Sequence, residues 1–93
     1  MPRPKKPRFL RFNPKVYYFK PQGIPLRLLD EVKLETDEVE ALKLHEIDSL
    51  DQTTAAKSMG VSQSTFARLL GSCYKKIAQG LLEGKAIRLM SKS

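Results

Sequence analysis

The sequence has no tryptophan, a single cysteine and a single histidine. With only Cys73, no intrachain disulfide can form, which fits a reducing compartment. Cys73 and His45 together fall short of the three or four ligands that a zinc site takes. No apolar run approaches the ~18 residues needed to span a bilayer. None follows the basic start of the chain as the core of a secretory signal would. These absences predict a cytoplasmic protein with no membrane segment. A Gly-rich phosphate loop, a nucleophile–base constellation and a metal-ligand cluster are also missing, so the chain reads as a non-enzyme without a cofactor. Ninety-three residues allow one small domain.

Acidic residues are absent from residues 1–27, and Glu83 alone represents them in residues 52–93. The net charge of +7 is therefore strongly segregated. It amounts to +8 over residues 1–27, −7 over residues 28–51 and +6 over residues 52–93. A polyanion would meet the two basic parts and avoid the middle. Solubility alone would explain a net charge but not its segregation.

The organising stretch runs from Gln52 to Gly71 and reads as a helix-turn-helix. Asp51 is a good N-cap for the first helix. Ala55 and Ala56 keep that helix thin where a second helix must cross it. Gly60 supplies the positive φ of a tight C-terminal turn, and Val61 is expected to be buried in that turn. Ser62 then caps the second helix. Phe66, Leu69 and Leu70 fall on the side facing the first helix. Gln63, Ser64, Ala67, Arg68 and Gly71 are left facing outward. An ordinary helical hairpin would ask nothing of that surface. In a major groove, Arg suits guanine and Gln suits adenine. Gln63, Ser64, Ala67 and Arg68 are the candidate base readers. Ser62, Thr65, Lys75 and Lys76 are the candidate phosphate contacts.

The remaining segments are read around this motif. Residues 1–8 hold three prolines and four basic residues, which predicts an extended, solvated arm. Arg3, Lys5, Lys6, Arg8 and Arg11 are its candidate DNA contacts, along phosphates or in a minor groove. Val16 to Phe19 is β-rich and predicts a strand. Its aromatics have chemistry suited to stacking on bases, but a domain this small is expected to use them in its core. Residues 21–25 predict a loop, after which Ile24, Leu26, Leu28, Leu29 and Val32 should pack down. A helix over about 37–48 is capped by Thr36 or Asp37, with Asp37 and Glu40 as a capping box. It turns Val39, Leu42, Ile47 and Leu50 to one face, with Leu44 at the edge and His45 partly exposed.

The second helix of the motif extends over about 63–83. Its apolar stripe is Phe66, Leu70, Cys73, Ile77 and Leu81, and Gly84 stops it. Residues 86–89 alternate as a strand, which needs a partner. The run 16–19 is the candidate, within one chain or between two. The fold class is thus mainly α: a three-helix core with helices at about 37–48, 52–59 and 63–83, a basic arm at 1–8, and a domain over 9–93 with short strands near both ends.

The chain resembles a prokaryotic family of predicted DNA-binding proteins of unassigned function. The resemblance rests on residues 2–8, on Tyr18-Phe19-Lys20-Pro21 with Gly23 and Pro25, and on Asp37 to Leu42. It continues through Met59-Gly60-Val61-Ser62 with Thr65-Phe66, and ends at Gly84-Lys85-Ala86. The family's helix-turn-helix is similar to region 4 of sigma factors. Gln63 and Tyr74 stand where the family pattern leads one to expect basic residues. The resemblance implies a cytoplasmic DNA binder that regulates transcription. A homodimer on double-stranded DNA is expected, because one short helix-turn-helix reads few base pairs. The alternative is a protein-interaction module that docks on RNA polymerase through its acidic helix.

Overall fold

Residues 16–90 are described in the computed structural model of the chain. Strand β1 (Val16–Phe19) and strand β3 (Ala86–Met90) form where the sequence predicts them. They pair antiparallel within one chain, Val16 opposite Met90 and Phe19 opposite Ile87. A further strand, β2 (Glu31–Leu34), pairs parallel with β3, so β3 is central. This strand was not anticipated. Leu34 is buried and Val32 half-buried while Glu31 and Lys33 are exposed, which is the period-two pattern of a half-covered strand. Four residues with two charges are too short a run to announce it. Parallel neighbours need a long crossover, and here the whole helical part of the molecule supplies it.

The loop between β1 and β2 holds one 3-10 turn, Leu26–Leu28. Leu26 and Leu29 are half-buried, but Ile24 and Leu28 are exposed rather than packed down. Tyr18 and Phe19 also depart from expectation. Phe19 is 58% exposed. Tyr18 lies under the Arg88 guanidinium, 5.8 Å from its ring centroid, a cation–π arrangement on the outer face of the sheet.

Helix α1 (Thr36–Leu42) follows β2 after one residue, and a wider π turn (Lys43–Ile47) extends it. The cap is Glu35, not Thr36 or Asp37. The capping box joins Glu35 to Glu38, whose Oε1 accepts the Glu35 N–H at 2.8 Å; the expected Asp37–Glu40 pair is two residues too late. β2 ends at Leu34, and the Glu35–Glu38 box starts the helix at the next residue. The π turn adds a residue to one helical turn, and the Asp48 N–H reaches Lys43 O at 3.0 Å. That extra residue rotates Ile47 off the apolar face, leaving it 74% exposed. Leu44 and Leu50 pack against the core in its place.

Helices α2 (Gln52–Met59) and α3 (Gln63–Glu83) complete the fold. Among the described residues, two apolar clusters join the elements. One joins Ala41, Ala55, Ala56, Phe66 and Leu70 between the three helices. The other joins Leu34, Val39, Cys73 and Ile87 between helices and sheet. Helix α3, about 31 Å long at 1.5 Å per residue, contributes to both. Its stripe is shorter than expected: Phe66, Leu70 and Cys73 are buried, Ile77 is half-buried, and Leu81 is 71% exposed. Burial pushes the Cys73 thiol up to about 11, with the Glu38 charge as a lesser cause, so it packs as a neutral hydrophobe. Gly80 is buried against β3, and a Cβ there would lie 2.3 Å from Ile87 Cγ1. The glycine lets α3 lie against the central strand, and offsets its weak helix propensity by that contact.

One buried charge ties α1 to α3. The Glu38 side chain is buried, and its Oε1 accepts from Lys76 Nζ at 2.8 Å. Ser72 Oγ donates to its other oxygen. Lys76 Nζ also donates to Lys33 O at 2.7 Å, reaching the end of β2. Burial would push the Glu38 carboxyl up, but the Lys76, Ser72 and Glu35 hydrogen bonds outweigh it and hold it below the ordinary 4.5.

Among the described residues, no helix is long and apolar enough to cross a membrane.

Candidate nucleic-acid interface

The turn between α2 and α3 is fixed at both helix ends. Asp51 Oδ1 accepts the Thr54 N–H at 2.7 Å, starting α2. That hydrogen bond, with the Thr54 side chain next in importance, holds the Asp51 carboxyl below its usual range. Gly60 ends α2 at φ 74°, in the left-handed region. The Gly60 and Val61 N–H groups then close onto Lys57 O at 3.1 Å and Ala56 O at 3.0 Å, satisfying carbonyls that the helix end would orphan. Val61 is half-buried against the helical core.

Ser62 starts α3: its Oγ accepts the Thr65 N–H at 3.1 Å and donates to Thr65 Oγ1 at 3.0 Å. Ser64 Oγ lies 3.3 Å from Ser62 Oγ. The three hydroxyls thus gather at the first turn of α3, where four backbone N–H groups begin without helical partners.

The helix is held from behind. Phe66 and Leu70 are buried, and the His45 ring meets Phe66 edge-on, with centroids 6.4 Å apart. His45 Nδ1 is 2.8 Å from Leu50 O. A carbonyl oxygen only accepts, so this ring nitrogen carries the proton. His45 thereby braces the segment leading into α2.

The other side of the first half of α3 is open. Gln63, Ser64, Ala67, Arg68 and Gly71 are all exposed. Ser64, Arg68, Gly71 and Lys75 recur at spacings of three and four, so they line one face. Ala67 and Gly71 keep that face low beside the Arg68 side chain. Lys75 is exposed on the same line, and Lys57 is exposed in the last turn of α2.

Lys76 does not belong to this surface. Its ammonium is committed to Glu38 and Lys33 O, so it is withdrawn from the candidate phosphate contacts. Sequence reasoning missed this pair because Glu38 and Lys76 lie 38 residues apart. It also missed Tyr74, whose hydroxyl donates to the Glu46 carboxylate. That bond, more than burial, pushes the phenol up to about 12, and it fastens the π turn to α3.

Arg3, Lys5, Lys6, Arg8 and Arg11 lie outside the described residues. The place where the chain enters β1 is nevertheless defined. Val16 stands opposite Met90, at the end of the sheet where β2 reaches Leu34 and hands over to α1. Helix α3 runs back along the sheet from Gly80 at Ile87 to Cys73 near Leu34. Residues before Ser72 therefore project past this same end. Among the described residues, no group of three or more His, Cys, Asp or Glu side chains is placed to hold a metal ion.

Over residues 1–92 the sequence matches the family model described as "Protein of unknown function DUF134". A UPF0251 protein of Dehalococcoides mccartyi is 51% identical over 89 residues, covering 96% of this chain and 76% of the relative. A UPF0251 protein of Caldanaerobacter subterraneus is 49% identical over 89 residues, covering 96% and 75%. A UPF0251 protein of Vibrio vulnificus is 47% identical over 93 residues, covering 100% and 93%. No solved structure matches.

Proposed function

The chain belongs to the DUF134 family, and for it we propose sequence-specific binding of double-stranded DNA, in the service of transcription regulation, by the first half of α3. The observation that carries this reading is the open face of Gln63, Ser64, Ala67, Arg68 and Gly71 on a helix capped at Ser62 and braced by Phe66 and Leu70. A B-form major groove, about 12 Å wide, admits a helix of about 10–12 Å diameter. Arg68 then reaches a guanine through its paired donors. Gln63 pairs with adenine, Ser64 with either purine or pyrimidine edges, and the Ala67 methyl with thymine. Lys75 lies one turn-pair beyond Arg68, at the distance of the flanking phosphates. Ser62, Thr65 and the free N–H groups at the start of α3 suit a phosphate of the near strand. The segregated charge agrees: the basic half of the chain faces the duplex, while exposed Asp37, Glu46 and Asp48 lie on the helix behind.

Arg68→Ala is expected to weaken binding to the preferred site by about 1–3 kcal/mol and to relax preference at one base pair. Fluorescence anisotropy with the site and its single-base variants measures both. Arg68 is exposed, so the variant should fold normally. Unchanged affinity together with unchanged base preference would remove Arg68 from the interface and with it the proposed orientation of α3.

A further inference from the structure

We propose that a second copy of this chain docks on the end of the molecule remote from the first half of α3, around Leu81 and Leu82. The topology brings one set of segments to that end. β1 finishes there at Phe19, opposite Ile87, and β2 begins there at Glu31, opposite Ala86. Helix α3 finishes there as well, turning into β3 through Gly84 at φ 69°. Leu81 is 71% exposed, Leu82 84% and Leu28 67%. An apolar groove runs between the Phe19–Pro21 stretch and Leu81, floored by Gly80 and Ile87. Leucines this exposed, grouped at one end and ringed by charged residues, mark an interaction surface.

Charge selects the occupant. A two-fold interface sets a patch against its own copy, so a patch of one sign repels itself. The side of the molecule formed by α1 and its π turn is acidic, and the open face of α3 carries Arg68 and Lys75 with no acidic residue. The Leu81 end is close to balance: Lys20, Arg27, Lys85 and Arg88 are interleaved with Asp30, Glu31 and Glu83. Three of its four cations already have local partners. Lys20 Nζ donates to Ile24 O at 2.8 Å, Lys85 pairs with Glu83 at 3.3 Å, and Arg88 with Glu31 at 3.8 Å. Such a surface offers little to a nucleic acid or an anionic membrane, and a patch without a dominant sign of charge does not repel its own copy. Pairing there also leaves both copies of the Gln63–Gly71 face uncovered. It replaces the exchange of terminal strands between two chains that the sequence left open, because β1 pairs with β3 of its own chain.

The test is sedimentation equilibrium of the full chain at micromolar concentration. The natural sequence is expected to be a dimer. The double variant Leu81→Gln with Leu82→Gln should raise the dissociation constant at least about tenfold, equivalent to about 1.4 kcal/mol. Glutamine is a comparable helix former and both side chains are exposed, so the thermal midpoint of the monomer should hold. Leu28→Gln, outside any helix interior, serves as a second probe should the double variant fold poorly. Ile47→Gln, equally exposed but on the π turn, should leave the dimer intact. A monomeric natural protein overturns the proposal, as does a dimer insensitive to the leucine substitutions or equally sensitive to Ile47→Gln. Binding of single sites by the dissociated variant separates this result from the proposed DNA reading, which does not depend on it.

Discussion

Glu38→Ala is expected to lower folding stability by about 2–4 kcal/mol, somewhat under the ~3–5 kcal/mol of a fully buried pair because Lys76 keeps partial access to water. The 28%-exposed Lys76 side chain can turn outward, but the Ser72 hydroxyl and the Glu35 N–H lose their acceptor inside the protein. Against a total of about 5–15 kcal/mol for a small domain, that is a large fraction. Denaturant unfolding followed by circular dichroism measures it. The pH dependence gives an independent reading. The folded carboxyl is held below its ordinary 4.5, so it contributes stability above that value and loses it as pH falls through the folded one. Glu38→Gln should therefore be less stable than the natural protein near neutrality, and the difference should shrink as pH falls below 4.5. A loss below about 1 kcal/mol with parallel acid limbs would mean that Glu38 behaves as a surface charge and that α1 is not anchored through it.

Deleting residues 1–8 should flatten the salt dependence of DNA binding. Arg3, Lys5, Lys6 and Arg8 carry four positive charges with no acidic residue among them. Each phosphate neutralised contributes about 0.9 to the slope of log affinity against log salt. Four contacts therefore contribute up to about 3.6. Between about 50 and about 200 mM salt the intact chain should lose about a hundredfold more affinity than the shortened one. The expectation draws on geometry as well as charge, because the chain enters β1 at the sheet end past which the first half of α3 projects. Equal slopes for the two proteins would show that these residues stay off the duplex.

The sequence disclosed the helix-turn-helix well because its determinants are local. Asp51, Gly60 and Ser62 each act within a few residues of themselves, and all three cap as predicted. Ala55, Ala56, Phe66 and Leu70 follow the helical period into one cluster. The features that escaped depend on partners far along the chain. β2 exists because β3, some fifty residues later, offers it an edge. Glu35 rather than Asp37 caps α1, through Glu38, the residue that Lys76 holds from 38 residues away. Lys76 looked like a phosphate contact until Glu38 was placed beside it, and Ile47 looked like core until the π turn rotated it outward. Leu81 fits the period of its helix, yet it lies 71% exposed at the rim of an open groove, which periodicity alone could not show. So small a domain is expected to use its large side chains in its core, yet Phe19 marks the rim of the Leu81 groove.

The role proposed for α3 is to read DNA sequence. Selection of bound sites from random duplex DNA by the full-length chain tests it most directly. The predicted result is enrichment of a short motif containing a guanine whose preference disappears in Arg68→Ala. The contradicting result is a pool that stays random, whether retained by charge alone or not retained at all.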